Sequence, residues 1–187
     1  MRDTAPTDHD LATRVKLGDS QALEILVVRY YQLLLNFVVR YVHSLDTAED
    51  VLQDVFIRLW ERRATWEIPD SVRAYLYTMS RHAALDLIRR ASARERYEST
   101  GADESDLVSP STPSEALEQE EFAEAVRHAV AELPDRGREI YVLAHQHGLS
   151  YREIADTLGI SVPTVKTHMG RSIVTLERRL RRFLAVF

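Results

Sequence analysis

The stretch "SYREIADTLGISVPTVKTHMG", residues 150–170, decides how this chain is read. Ser150 and Glu153 have capping-box spacing, in which each side chain satisfies an exposed backbone N–H at a helix start. Ile154, Ala155 and Leu158 continue at helical spacing. Gly159 supplies a left-handed residue, Ser161 caps a second helix, and Pro163 is tolerated in its first turn. Ile154, Leu158, Ile160 and Val165 fill the space between the helices, and Ala155 is small where their backbones approach. Two short helices joined by a tight turn form the shape that sets a helix into a DNA groove. The second helix then exposes Thr164, Lys166, Thr167, His168, Arg171 and Ser172, and Arg178, Arg179, Arg181 and Arg182 extend the positive charge. Lysine and arginine suit phosphates and guanine edges, and hydroxyls and imidazole suit bases or phosphates. An ordinary helical hairpin with solvated charges is the competing reading of this segment alone. Gly170, in mid-helix, costs about 1 kcal/mol relative to alanine; it either admits a DNA backbone or has no role.

The 187 residues carry a net charge of −5, which at first sight argues against a nucleic-acid partner. Its distribution reverses that. Residues 134–187 hold nine Lys/Arg against five acids (+4), and residues 71–90 hold four arginines against one acid (+3). Residues 91–120 hold two arginines against eight acids (−6). Local field governs approach to phosphate. The absence of cysteine excludes disulfides, cysteine zinc sites and a thiol redox switch within the chain. The N-terminus "MRDTAPTDHD" lacks signal-peptide character, and no apolar run is expected to reach bilayer length. The expectation is a cytoplasmic protein without membrane insertion.

The periodicity predicts an all-α chain. Leu23, Leu26, Val27, Tyr30, Leu34, Phe37, Val38 and Tyr41 form one stripe over residues 20–43. Asp46 with Glu49 predicts a capping box opening the next helix, with Val51, Leu52, Val55, Phe56 and Leu59 buried. "WEIPD" breaks the pattern. Asp70 or Ser71 caps a further helix whose buried face is Val72, Leu76, Met79, Ala83 and Leu87. Residues 92–114, rich in Ser, Thr, Asp, Glu, Pro and Gly, cannot bury enough apolar surface to order themselves and read as a flexible acidic linker. This separates small helical domains at 1–92 and 118–187, joined by residues 93–117. In the second domain, Pro134 ends one helix, Asp135 caps the next, and Gly148 closes it. His145 and His147, in "HQH", do not share a helical face and read as a loop or helix end, not a metal site. No residues at metal-ligand spacing, no nucleophile–base pair and no phosphate-cradling loop are found, so neither a metal, a cofactor nor an enzyme is expected.

"AEDVLQDVFIRLW", residues 48–60, exposes Glu49, Asp50, Gln53, Asp54, Ile57 and Arg58 opposite its apolar face. Taken alone, that is a solvated helix. The stretch nevertheless closely resembles the second conserved region of bacterial sigma factors of the extracytoplasmic-function (ECF) group. "SVRAYLYTMSRHAALDLIRR", residues 71–90, resembles the following helix of that region. Residues 131–180, from "AELPD" to "LERRL", resemble their fourth conserved region. Order, spacing and the intervening linker also match, and the resemblance covers most of the chain.

The resemblance implies two domains, a region 2 bundle and a region 4 helix-turn-helix, and a non-catalytic subunit that directs core RNA polymerase to promoters. Asp50, Gln53, Asp54, Ile57 and Arg58 would dock on the clamp coiled coil of the largest polymerase subunit, with the flap as a further contact. Arg62, Arg63, Trp66, Arg73, Tyr77, Arg81, His82, Arg89 and Arg90 would bind and open the −10 element, which requires capture of an unstacked base. For Trp66, core packing competes with base stacking; Tyr75 and Leu76 read as core. Ser161, Thr164, Lys166, Thr167, His168 and Arg171 would read the −35 duplex. The acidic linker would enter a positively charged polymerase channel or serve as a plain tether. An anti-sigma partner is implied too. The rival reading is a stand-alone helix-turn-helix repressor or activator, which leaves residues 48–60 and 71–90 unexplained.

Overall fold

The computed structural model describes residues 5–95 and 117–184, with side chains over 5–93 and 123–181. The chain divides into two compact units, Met1–Ser105 and Asp106–Phe187. Of the expected linker, residues 96–116 lie outside the described residues. Every described element is helical.

The first unit is built around α2 (Ser20–Val42), which packs against α1 (Asp8–Lys16), α3 (Leu45–Glu61) and α4 (Val72–Glu95). Against expectation, α2 is long and apolar enough, by length and composition, to cross a membrane. One apolar side of it is instead covered by protein, while Ile25, Val28 and Leu33 remain exposed. Leu26, Tyr30, Leu34, Leu35, Phe37 and Val38 are buried, while Glu24, Gln32, Asn36 and Arg40 are exposed. Asp19 caps α2, accepting from the Gln21 and Ala22 amides at 3.0 and 3.2 Å. The Arg14 side chain, first, and these amides hold the Asp19 carboxyl below the usual carboxylate range.

The helix α1 has no counterpart in the periodicity reading. It begins with a capping box, Thr7 with Asp10, and buries Leu11, Ala12 and Val15. Its anchor is polar: Asp8 accepts from Arg29 and from the Tyr30 hydroxyl, and Arg29 Nη2 donates to the Pro6 carbonyl at 3.0 Å. Burial, then the Asp8 contact, pushes the Tyr30 hydroxyl well above its usual range.

One boundary differs from expectation, and another is decided between two candidates. The cap of α3 is Ser44, whose Oγ accepts from the Thr47 amide at 3.3 Å, so the proposed Asp46–Glu49 box does not form. Ser44 has the extended backbone a cap requires, placing Asp46 inside the first turn. Ser71, not Asp70, caps α4, accepting from the Ala74 amide at 3.1 Å. The buried face of α4 is Val72, Ala74, Leu76, Tyr77, Ser80 and Ala84; Val72 and Leu76 are as expected, but beyond them the buried stripe runs one residue later than expected, through Ser80 and Ala84 in place of Met79 and Ala83. Leu87 is consequently exposed, and Tyr77 is fully buried, edge-on to Phe37 at 5.0 Å between ring centroids. Burial raises the Tyr77 hydroxyl above its ordinary range too.

In the second unit, α8 (Val162–Leu184) packs on α5 (Leu117–Ala131), α6 (Asp135–His145) and α7 (Tyr151–Leu158). Ala129, Val130, Leu133, Val142 and Leu176 form one core cluster. Pro134, not Asp135, is the N-cap residue of α6, without a side-chain cap; Asp135 instead pairs with Arg138 in the first turn. Gly137 is required by close helix packing: a Cβ there would lie 2.7 Å from the Ser172 Oγ of α8. Ser172, expected to be exposed, is therefore buried. His147 is buried after the end of α6, and His145 is exposed, its ring 4.4 Å from that of Tyr141.

Two predictions follow from burial. Tyr30 and Tyr77 have folded pKa values raised above their unfolded values. Their contribution is present below about pH 10 and lost as pH rises further. Spectrophotometric titration should show late-ionising tyrosines that disappear in Tyr30→Phe and Tyr77→Phe. Gly137→Ala should destabilise the second unit by about 1–3 kcal/mol through overpacking, and Ser172→Ala should recover part of that loss in denaturant unfolding.

Candidate nucleic-acid interface

The helix-turn-helix forms as its residues require. Ser150 Oγ accepts from the Glu153 amide at 3.3 Å, and the Glu153 carboxylate accepts from the Ser150 amide at 2.8 Å. Gly159 ends α7 with φ 64° and ψ 42°, and its N–H donates to the Ala155 carbonyl. Ile154, Ala155, Leu158, Val165 and Met169 are buried between the helices. One contributor is invisible to local pattern. Arg136 of α6 pairs with Glu139 at 2.8 Å and donates from Nη2 to the Leu158 carbonyl at 3.2 Å. A guanidinium thus covers the C-terminal carbonyl of α7, where helix dipole and unpaired oxygen both favour a cation. It fixes the turn from which α8 departs.

Along α8, Val165, Met169, Ser172 and Leu176 face inward, leaving Lys166, Thr167, Gly170, Arg171, Ile173, Val174 and Arg178 outward. Ser161 Oγ accepts from the Thr164 amide at 3.2 Å and shares a hydrogen bond with the Thr164 hydroxyl at 2.8 Å. The Thr167 hydroxyl donates to the Pro163 carbonyl at 2.9 Å. His168 is half-buried on the edge of this face. The six residues expected to meet duplex DNA are therefore gathered on the cap and first three turns of one helix.

In the first unit, the exposed row of α3 is divided between two grooves. Asp50, Gln53 and Ile57 line one of about 760 Å³ with Leu23, Val27 and Trp60. Asp54 and Arg58 line another of about 450 Å³ with Asp86, Leu87 and Arg90. Asp54 and Arg58 pair at 3.5 Å in the open, and Ile57, on the side of the other groove, is 48 % exposed.

The cationic set of the α3–α4 loop and α4 is less unified than expected. Arg62 is exposed. Arg63 stacks 4.2 Å over the Trp60 ring and donates to the Trp60 carbonyl at 2.7 Å, so its guanidinium is largely committed to the end of α3. Trp66 is 5 % exposed, packed at 5.5 Å between ring centroids against Tyr75. Tyr77 is in the core. For these two, a DNA contact is corrected to a packing role: the phase of α4 and the fold of the loop turn both rings inward. Arg73 and Arg81 are half-buried, and His82, Arg89 and Arg90 are exposed. Arg89 pairs with Asp86 at 3.1 Å, and Arg90 lies beside Asp54 and Arg58 in the smaller groove. Among the described residues, no cluster of His, Cys, Asp or Glu could hold a metal ion.

Residues 26–94 match the family described as Sigma-70 region 2, and residues 123–182 match Sigma-70, region 4. The chain belongs to the sigma-70 family of RNA polymerase sigma factors. It is similar to the RNA polymerase sigma factor YlaC of Bacillus subtilis, 29 % identical over 86 % of this chain and 93 % of the relative. It is similar to the ECF RNA polymerase sigma-E factor of Escherichia coli K12, 29 % identical over 94 % of this chain and 95 % of the relative. These relationships place this sigma factor in the ECF group, a transcription initiation factor that works with core RNA polymerase on promoter DNA. The region 2 match accounts for residues 48–60 and 71–90, which a stand-alone helix-turn-helix regulator leaves unexplained. Its fold is similar to CnrH, solved with the cytosolic domain of CnrY (TM-score 0.61, 24 % identity, 94 % of this chain and 97 % of that one). It is also similar to the sigma factor RpoE of Bartonella quintana, solved with the anti-sigma factor NepR (TM-score 0.65, 22 % identity, 84 % and 96 %).

Gly159→Ala should cost about 1–2 kcal/mol, because a Cβ in the left-handed region meets its own backbone. Denaturant unfolding should register the loss although nothing lies within 4 Å of the added methyl.

Proposed function

We propose that this sigma factor docks on core polymerase through the exposed row of α3 and reads its promoters at two elements. Asp50, Gln53, Asp54, Ile57 and Arg58 meet the clamp coiled coil of the largest subunit. The observation that carries this is Ile57, an isoleucine half-exposed at the centre of a charged row on a well-packed helix. A helical partner can bury it while pairing the surrounding charges. A contact with the polymerase flap belongs to the same reading.

The −35 duplex lies along the start of α8, where Ser161, Thr164, Lys166, Thr167, His168 and Arg171 face outward or edge the face. The −10 element meets Arg62, Arg73, Arg81, His82 and Arg89, with Arg63, bound to Trp60, at its margin. Arg90 lines the same groove as Asp54 and Arg58. In this reading the chain supplies specificity and positioning, with catalysis left to the polymerase, and it acts in the cytoplasm. The similar folds of CnrH and RpoE were solved with CnrY and the anti-sigma factor NepR. By analogy, an anti-sigma partner holds this chain away from polymerase.

The test is binding of the purified chain to core RNA polymerase, wild type against Asp54→Arg. Asp54 is exposed and pairs with the half-exposed Arg58, so reversal should leave helicity unchanged. Affinity should fall at least about 100-fold, roughly 2.7 kcal/mol. Unchanged affinity in a folded variant would remove α3 from the docking face.

A further inference from the structure

Two glycines lie inside helices of the second unit, and they differ in what they accommodate. At Gly137 a Cβ would strike Ser172, so the protein itself requires the glycine. At Gly170 an added Cβ meets no atom within 4 Å. Its φ is not in the left-handed region, which among the described glycines is occupied by Gly18, Gly148 and Gly159. Neither packing nor backbone conformation explains Gly170, yet glycine in a helix interior costs about 1 kcal/mol relative to alanine.

The position lies on the outward face of α8, one turn beyond Lys166 and Thr167 and next to Arg171. It is eight residues from the helix start at Val162, about 12 Å at 1.5 Å per residue. An α-helix entering the major groove must pass one of the flanking phosphate strands along its length. A cationic helix with a bare backbone at that point can approach closer than side chains would permit.

We infer that Gly170 is a clearance site, where the α8 backbone passes against a DNA sugar-phosphate strand and any side chain would hold the duplex away. The missing methyl thereby sets the depth at which Lys166 and Arg171 enter the groove. The inference rests on the reading of α8 as the duplex-binding helix.

The test uses holoenzyme reconstituted from core polymerase and the full chain. The probe is a duplex enriched by the wild-type holoenzyme from a randomised pool. Gly170→Ala and Gly170→Leu are compared with Lys166→Ala and Arg171→Ala, alongside thermal unfolding of each free chain. Gly170→Ala should raise the unfolding temperature, because alanine is the better helix former, yet weaken duplex binding about tenfold. Gly170→Leu should weaken it further. If Lys166→Ala and Arg171→Ala lose affinity while both Gly170 variants bind like wild type, the clearance site is wrong and the DNA-facing role of α8 stands. If neither cationic variant loses affinity, that role fails and the inference falls with it. A second protein docked at Gly170 would show as binding to core polymerase lost without DNA, which also overturns it.

Discussion

A single helix too apolar to be left uncovered sets the plan of the first unit. Covering the apolar stripe of α2 takes three partners, and that surface is satisfied by elements that give it their own apolar faces. α3 and α4 therefore turn their polar sides to solvent together. The row on α3 and the cations of α4 are consequences of that packing. α1 closes the remaining side, and because it is short it depends on a polar anchor. A carboxylate receiving both a guanidinium and a phenol holds it to α2 where nine residues bury only Leu11, Ala12 and Val15.

The second unit solves a different problem, which is to present one helix at a defined angle. Gly159 sets the direction of the turn, Arg136 secures the carbonyl end that precedes it, and Gly137 lets α6 and α8 approach until Ser172 is enclosed. An ion pair between Arg179 and Glu132 ties the far end of α8 to the α5–α6 connection. Each device acts on geometry more than on bulk stability. The result is a helix held from three sides with one long face left open.

How much of this is legible in the residues depends on the range of the interaction. The Ser150–Glu153 box, the glycine turn and the serine cap of α8 are local, and the structure has them where the spacing puts them. The Asp46–Glu49 box fails because a competing cap, Ser44, lies two residues earlier, and spacing alone cannot rank two candidates. α4 exposes the limit of periodicity: steps of three and four admit two stripes one residue apart. Contact with Phe37 of α2, forty residues away in sequence, selects the one containing Tyr77. That choice also removes Tyr77 from the DNA-facing set. Arg136 reaching Leu158, and Asp8 reaching Arg29, leave no local trace, since each pairs residues more than twenty apart. The exposed row of α3 is legible as an amphipathic face, and the docking role proposed for it draws on the family resemblance as well as on exposed Ile57.

The internal bond between the Thr167 hydroxyl and the Pro163 carbonyl also bears on which promoter atoms this helix can address. A hydroxyl whose only proton is already donated presents lone pairs to an incoming duplex. Phosphate oxygens, which have no proton to offer, are poor partners for it. The exocyclic amines of adenine and cytosine, the donors of the major groove, match it. If α8 lies on the duplex as proposed, Lys166 and Arg171 hold the strands by charge, and Thr167 offers its lone pairs to amino groups on bases.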